Sequence, residues 1–325
     1  MPIPVKVQRP EDLLDIRGWT LYGETPYHPV GARPKSIYIA PGLGAPQFII
    51  PHHRYIFKLS SDRHPIQFWS EIFSYQFGAM IGVEVPPAFV ALNSETGEVG
   101  SLLEFFYGAP GDVEERFSEG GDALQALNKD FDRHRGKQHN VRDVMRICKA
   151  FHALGVAEPS RHWAKVFTFD ALIGNTDRHQ DNWGILWKFP KERTQAPSAR
   201  FAPAFDNGTS LGYDILEHKL AAKRQRTALE AYVLRGYHHM RWSRGDEHQC
   251  RHMEMLERII NAYPETKEVI SETVTFDIMD VAKILHEMER FEVQPVFTRQ
   301  RTNFVLDVIA LRQRLIAEVV TGGAA

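Results

Sequence analysis

The sequence predicts an α+β fold of two lobes: a small β-rich lobe with one main helix in residues 1–107, then a larger, mostly helical lobe in 108–325. Three observations predict it. Up to residue 107 the apolar runs are short, β-branched or aromatic, and bounded by Pro, Gly and Asn. Beyond it, apolar residues recur at three- and four-residue spacing, the period of an amphipathic helix. The switch falls at "LEFFYGAPGD" (103–112), where Gly108, Pro110 and Gly111 mark a turn or hinge. A crevice between two such lobes is a common place for a ligand.

Taken in order, the strands are "SIYIA" (36–40), "YIFKLS" (55–60), "PAFVALN" (87–93) and "GSLLEFF" (100–106). Between the second and third, Trp69, Ile72, Phe73, Phe77 and Met80 predict a helix over 65–80, with Pro65 in its first turn and Gly82 past its end. Helices follow at 141–155, at 161–174 and through a long tract from about 214. The last is the clearest, with Thr298 as N-cap and a stripe of Phe304, Val308, Leu311 and Leu315.

The 325 residues, 43% of them hydrophobic, can build a sizeable core. A formal net charge of −2 excludes binding of nucleic acid or an anionic membrane by bulk charge. Two cysteines, Cys148 and Cys250, are too few and too far apart for a disulfide framework, which points to a reducing compartment. With no signal-like apolar run at the N-terminus and no membrane-spanning run, a cytoplasmic protein is expected.

The chemistry concentrates in "GNTDRHQDNWGIL" (174–186). Asn182 stands five residues after Asp177, and "FAPAFDNG" (201–208) supplies Asp206 twenty-four residues after Asn182. Phosphoryl transfer needs little covalent help but much positioning and charge neutralisation. Magnesium supplies the latter through hard oxygen ligands, and Asn182 and Asp206 are of that type. Asp177 is then free to deprotonate an attacking hydroxyl. Taken alone, such a cluster is as readily an Asn/Asp-rich turn. Lys58, set between Phe57 and Leu59 in a strand-like run, needs a partner if buried, and Glu71 on the predicted helix could provide one. A strand lysine on the α/β-phosphates with a helix glutamate orienting it is how the small lobe of a kinase grips its nucleotide. Two glycine-containing stretches could cradle phosphate, "VGARPKS" (30–36) and "APGLGAP" (40–46), and spacing leaves both open.

These blocks, with "SEIFSYQFGAMIGVEVPPA", "LEFF" and "FTRQRTNFVLDVIALRQRL", occur in the order found in the HipA-like serine/threonine kinase family, which the chain resembles over most of its length. Within that family the kinase fold is related to phosphatidylinositol kinases. The resemblance implies a two-lobed kinase using ATP and Mg²⁺ on a protein hydroxyl. It implies a phosphate loop at Val30, Gly31, Ala32, Arg33, Pro34 and Lys35, and a hinge contacting adenine at Glu104, Phe105 and Phe106. Lys58 would hold the phosphates with Glu71, and Asp177 would be the base. His179, Gln180, Asp181, Asn182 and Phe205 would line the nucleotide and metal site, and Asp206 would bind metal. A catalytic loop over 174–184 and a metal-binding segment over 203–208 follow. The regulatory serine common in the family is absent from "YHPVG" (27–31), which speaks against inactivation by autophosphorylation there. The extra N-terminal β subdomain of longer members and a DNA-binding element are not expected, which leaves either a small antitoxin-like partner to supply such functions or their absence. "DRH" with a following Asn also occurs in lipid kinases, so a lipid or small-molecule kinase is an alternative, and a non-catalytic nucleotide-binding module a second.

Residues 217–252 hold eight Lys/Arg, five His and a Trp, which suit either steering of an acidic substrate or the solvated face of helices with Leu220, Leu229 and Val233 inward. Paired histidines (His52-His53, His238-His239) fall in expected loops without an H-E-x-x-H spacing, which argues against a histidine-metal hydrolase.

Overall fold

The computed structural model describes residues 2–24, 35–111, 113–190 and 196–322. The first strands are β1 (Leu14–Asp15), β2 (Thr20–Glu24), β3 (Lys35–Ile39) and β4 (Arg54–Leu59). Helix α1 (Gln67–Met80) and strands β5 (Ala88–Asn93) and β6 (Glu98–Glu104) complete a six-stranded sheet of order β1-β5-β6-β4-β3-β2, antiparallel except for β1 beside β5.

Strand alternation decides which side chains face the rest of the protein. Tyr55, Phe57, Phe89, Ala91 and Leu102 point to one side, where Ile49 and the loop after β3 cover them. Ile56, Val90 and Leu103 point to the other, toward α1, and so does Lys58. A residue inserted in β4 would turn Lys58 away.

The chain continues through β7 (Glu114–Glu119), α2 (Gly120–Leu127), α3 (Val141–Ala150), α4 (Pro159–Ile173), β8 (Gly184–Phe189) and β9 (Ser198–Phe201). Strands β7, β8 and β9 form a second antiparallel sheet. Then come α5 (Leu220–Lys223), α6 (Arg226–Leu234), α7 (His252–Ala262), α8 (Thr266–Val274), α9 (Ile278–Met288) and α10 (Arg299–Thr321). The expected α+β organisation holds. Helix α3 stops five residues short of the expected 155, where a 3-10 turn leads to left-handed Gly155. The tract from 214 is broken by non-helical residues 235–251. Thr298 caps α10 by accepting the Arg301 N–H at 3.1 Å, but Leu311 and Leu315 are only half-buried, and Arg312 stands in the buried stripe.

One apolar core runs from the sheet through α1 into the helices. Helix α1 has no solvent face to speak of: twelve of its fourteen residues are buried. Phe77 packs on Phe169 and Phe276, and Trp69 on Phe291 and Phe297, with the Trp69 indole N–H donating to the Pro295 carbonyl. Each such aromatic contributes roughly 1.5–3 kcal/mol by burial. Their sum holds Glu71, on the same helix, in register with the helical part. No helix among the described residues is long and apolar enough to cross a membrane.

Candidate active site

The lysine that alternation turns inward meets two carboxylates. Lys58 Nζ lies 3.3 Å from Glu71 Oε1 and 3.1 Å from Asp206 Oδ1. Glu71 is buried, and its second oxygen accepts the backbone N–H of Asn207 at 3.0 Å. Strand β4, helix α1 and the segment after β9 therefore converge on one ammonium group. Asp206 is the most open of the three, its side chain 36% exposed, and it adopts a left-handed φ of +58°, which Asp tolerates better than most residues.

The loop between α4 and β8 forms beside this group. Helix α4 ends at Gly174, whose φ of +70° releases the chain from the helix. Asn175 accepts the Asp177 N–H at 2.9 Å and the Thr209 hydroxyl at 3.2 Å. Asn182 donates through Nδ2 to the Asp177 carbonyl at 2.6 Å, which closes the loop and aims the amide oxygen the other way.

Arg178 joins loop and segment. With 1% exposure, it donates to both oxygens of Asp170 (2.9 and 2.6 Å), to the Phe205 carbonyl (2.7 Å) and to Asn207 Oδ1 (2.7 Å). Asp170 also meets His238 Nε2 at 3.1 Å. Burial by itself would raise the Asp170 carboxyl, but the charge and hydrogen bonds of Arg178, with His238, take it down to about 2. Neither Arg178 nor Asp170 was among the expected site residues. The available signal was Asp170 inside the apolar run "VFTFDALIG", a buried charge in need of a partner, as with Lys58.

Other expected residues lie differently. Asp181 points to α2, where Arg133 meets it at 3.1 Å and also pairs with Glu119 and Asp122. Gln180 is buried and donates to the Arg133 carbonyl. His179 is half-buried, its ring 6.0 Å from that of His239. Glu104 pairs with Lys6 and accepts the Tyr55 hydroxyl at 3.2 Å. Phe105 lies under the Arg54 guanidinium at 4.2 Å, and its carbonyl is 2.6 Å from His53 Nε2. Phe106 stacks on Phe205 with centroids 5.0 Å apart, and Phe117 meets both edge-on. These half-buried rings form an apolar wall near Asp206.

Val30 to Pro34 lie outside the described residues. Lys35, the next residue, pairs directly across from Lys58, whereas "APGLGAP" follows Ile39 at the Arg54 end of that hairpin. Four strand residues, about 13 Å, separate the two ends. The basic stretch is partly interior: Leu220, Val233, His238, Cys250 and His252 are buried and Leu229 half-buried. Among the described residues no group of three or more His, Cys, Asp or Glu is placed to hold a metal.

The fold is similar to that of CtkA, a proinflammatory kinase of Helicobacter pylori, at 15% identity and a TM-score of 0.71, covering 95% of this chain and 97% of that one. Lower similarity extends to HipA of Shewanella oneidensis MR-1, solved with HipB and operator DNA (13% identity, TM-score 0.49, 96% and 68% covered). The Golgi casein kinase aligns at 10% identity and a TM-score of 0.40, covering 94% and 74%. No curated protein matches the chain in sequence. The fold is thus kinase-like, and because residues 29–276 match the HipA-like C-terminal domain, the chain belongs to that family.

Proposed function

We propose that the chain is an ATP- and magnesium-dependent kinase that transfers the γ-phosphoryl group to a serine or threonine hydroxyl of a protein. The observation that carries this reading is Lys58, held between Glu71 and Asp206 while Arg178 ties the Asp206 segment to the Asp177 loop. In it, residues 1–107 hold the phosphates and 108–325 activate the hydroxyl. Lys58 would grip the α/β-phosphates with Glu71 keeping it extended, the rings of Phe106 and Phe205 would face the adenine, and Asp177 would take the hydroxyl proton.

The donor set fits magnesium: a carboxylate at Asp206 and an amide oxygen at Asn182 are hard ligands, and few protein ligands are needed. A bound Mg²⁺ would neutralise charge on the phosphates. Family membership extends the reading to a small restraining partner of the antitoxin kind.

Millimolar Mg·ATP should raise the melting temperature of the purified chain, since a ligand at 100 times its Kd stabilises by about 2.7 kcal/mol. Labelled γ-phosphate should appear on serine or threonine of a protein pool. Asp177→Asn should cut that transfer by about 10²–10⁴ while the thermal shift persists. No shift with Mg·ATP would sink the kinase reading, and label confined to lipid would move the substrate to a lipid hydroxyl.

A further inference from the structure

Helix α10 buries two arginines, Arg301 and Arg312, each 2% exposed, in a stripe that includes Phe304, Val305, Val308, Ile309 and Ile316. Eleven residues apart, they share one helix face about 16 Å along the axis. Leucine would fill either place at less cost of desolvation, so their donors matter.

Arg312 Nη1 donates to the Leu172 carbonyl at 3.2 Å, in the last turn of α4, and the guanidinium lies against Gly174. A Cβ on Gly174 would stand 2.1 Å from Arg312 Nη2, so a side chain there is excluded by contact as well as by its φ of +70°. Arg301 donates to the carbonyls of Gly212 (2.9 Å) and Ile215 (2.6 Å) and to Glu217 Oε2 (2.9 Å). A Cβ on Gly212 would stand 2.6 Å from Phe304, also on α10. Between these contacts, the Leu211 N–H donates to the Ile173 carbonyl at 2.9 Å. One helix thus touches the chain where it enters the Asp177 loop and in the turn, 212–217, that follows the Asp206 segment.

We infer that α10 is the positioning element of this site, Arg312 fixing the start of the Asp177 loop and Arg301 the turn at 212–217 into which the Asp206 segment runs; the inference rests on the kinase reading for its catalytic consequence. Neither arginine touches a reacting group. Arg312 acts through a helix C-terminal carbonyl and Arg301 through two turn carbonyls and the Glu217 carboxylate, contacts to which a cation is well matched.

The test replaces each arginine by methionine, similar in length and apolar, and follows hydrogen exchange and kinetics in the full chain. Arg312→Met should speed exchange in 174–182 by about tenfold or more and leave 211–217 near wild type, with Arg301→Met doing the reverse. Arg312→Met should lower kcat by about 10- to 100-fold with KM for Mg·ATP within about threefold, because Lys58 and Glu71 lie on other elements. Arg312→Lys should recover part of both. If methionine variants fail to fold, the lysine variants decide, with smaller changes in the same segments expected. Wild-type exchange in both segments, or wild-type kcat in a folded Arg312→Met, overturns the proposal. If the wild-type chain transfers no phosphate, the kinase reading fails, while the exchange pattern still decides whether α10 fixes both segments.

Discussion

Arg178 brings a full charge into the interior beside Asp170, while Glu71 and Asp206 meet Lys58. Its guanidinium is consumed by Asp170, two backbone carbonyls and Asn207, so it works as a bracket between loop and segment. Removing one partner of a buried pair strands the other, at about 3–5 kcal/mol. Arg178→Met is therefore expected to lose about that much in urea denaturation, and Asp170→Leu a comparable amount. The double variant should lose less than the sum by about 1–3 kcal/mol, since it strands neither charge. Strict additivity would show that the two are not coupled. Lys58 and Glu71 were legible because a charge inside an apolar run demands a partner, and Asp206 because its type and spacing follow Asp177 and Asn182. Arg178 was not legible, since an arginine in a polar loop reads as solvated until the fold closes over it. The roles given to Gln180 and Asp181 rested on likeness alone, and spacing could not foresee that Arg133, far away in the chain, would meet both.

Elements with a clear period were readable to within a few residues, α1, α4 and α10 among them. Those that tertiary contact imposes were not. Strand β7, "EERFSE", carries a polar sequence that only its pairing with β8 makes a strand. Helix α2 opens on Gly120-Gly121, a poor helical start by propensity. Contact explains the choice: a Cβ on Gly120 would lie 2.1 Å from the Trp183 indole, and one on Gly121 2.2 Å from Asp181 Oδ1. The Gly120 N–H also donates to the Trp183 carbonyl at 2.8 Å, next to Asn182. Gly120→Ala should thus overpack this contact, costing about 1–3 kcal/mol and shifting the tryptophan emission. Gly245→Ala, where a Cβ meets nothing within 4 Å, should change stability by less than about 0.5 kcal/mol. Equal stability of the two variants would mean that α2 is not pressed against Trp183.

At the scale of the whole molecule, the same burial that builds the core fixes how the protein responds to acid. His139 is fully buried, with its imidazole held well below the ordinary range by desolvation first and then by His239, His238 and His179. His252, 3% exposed, is taken down to about 3 by desolvation, with Arg312 and His238 adding and Asp170 opposing. Both are neutral in the folded protein and take up protons near pH 6.5 once unfolded. Their contribution to stability is therefore complete above about pH 6.5 and falls as the pH drops toward the folded values, by about 1.4 kcal/mol per pH unit for each. Asp170, lowered to about 2, acts in the same direction but later: its contribution holds above about pH 4 and is lost between there and 2. Stability should consequently begin to decline below pH 6.5, ahead of any carboxylate, with a slope of roughly 3 kcal/mol per pH unit near pH 5 from these two histidines. Urea midpoints at pH 7.5, 6.5, 5.5 and 4.5 measure it, and His252→Phe should reduce the slope by about 1.4 kcal/mol per pH unit, one histidine's share. A flat profile from pH 7.5 to 5 would mean that these imidazoles are not buried in neutral form, and with them the packing of α7 and the loop before α3 would have to be redrawn.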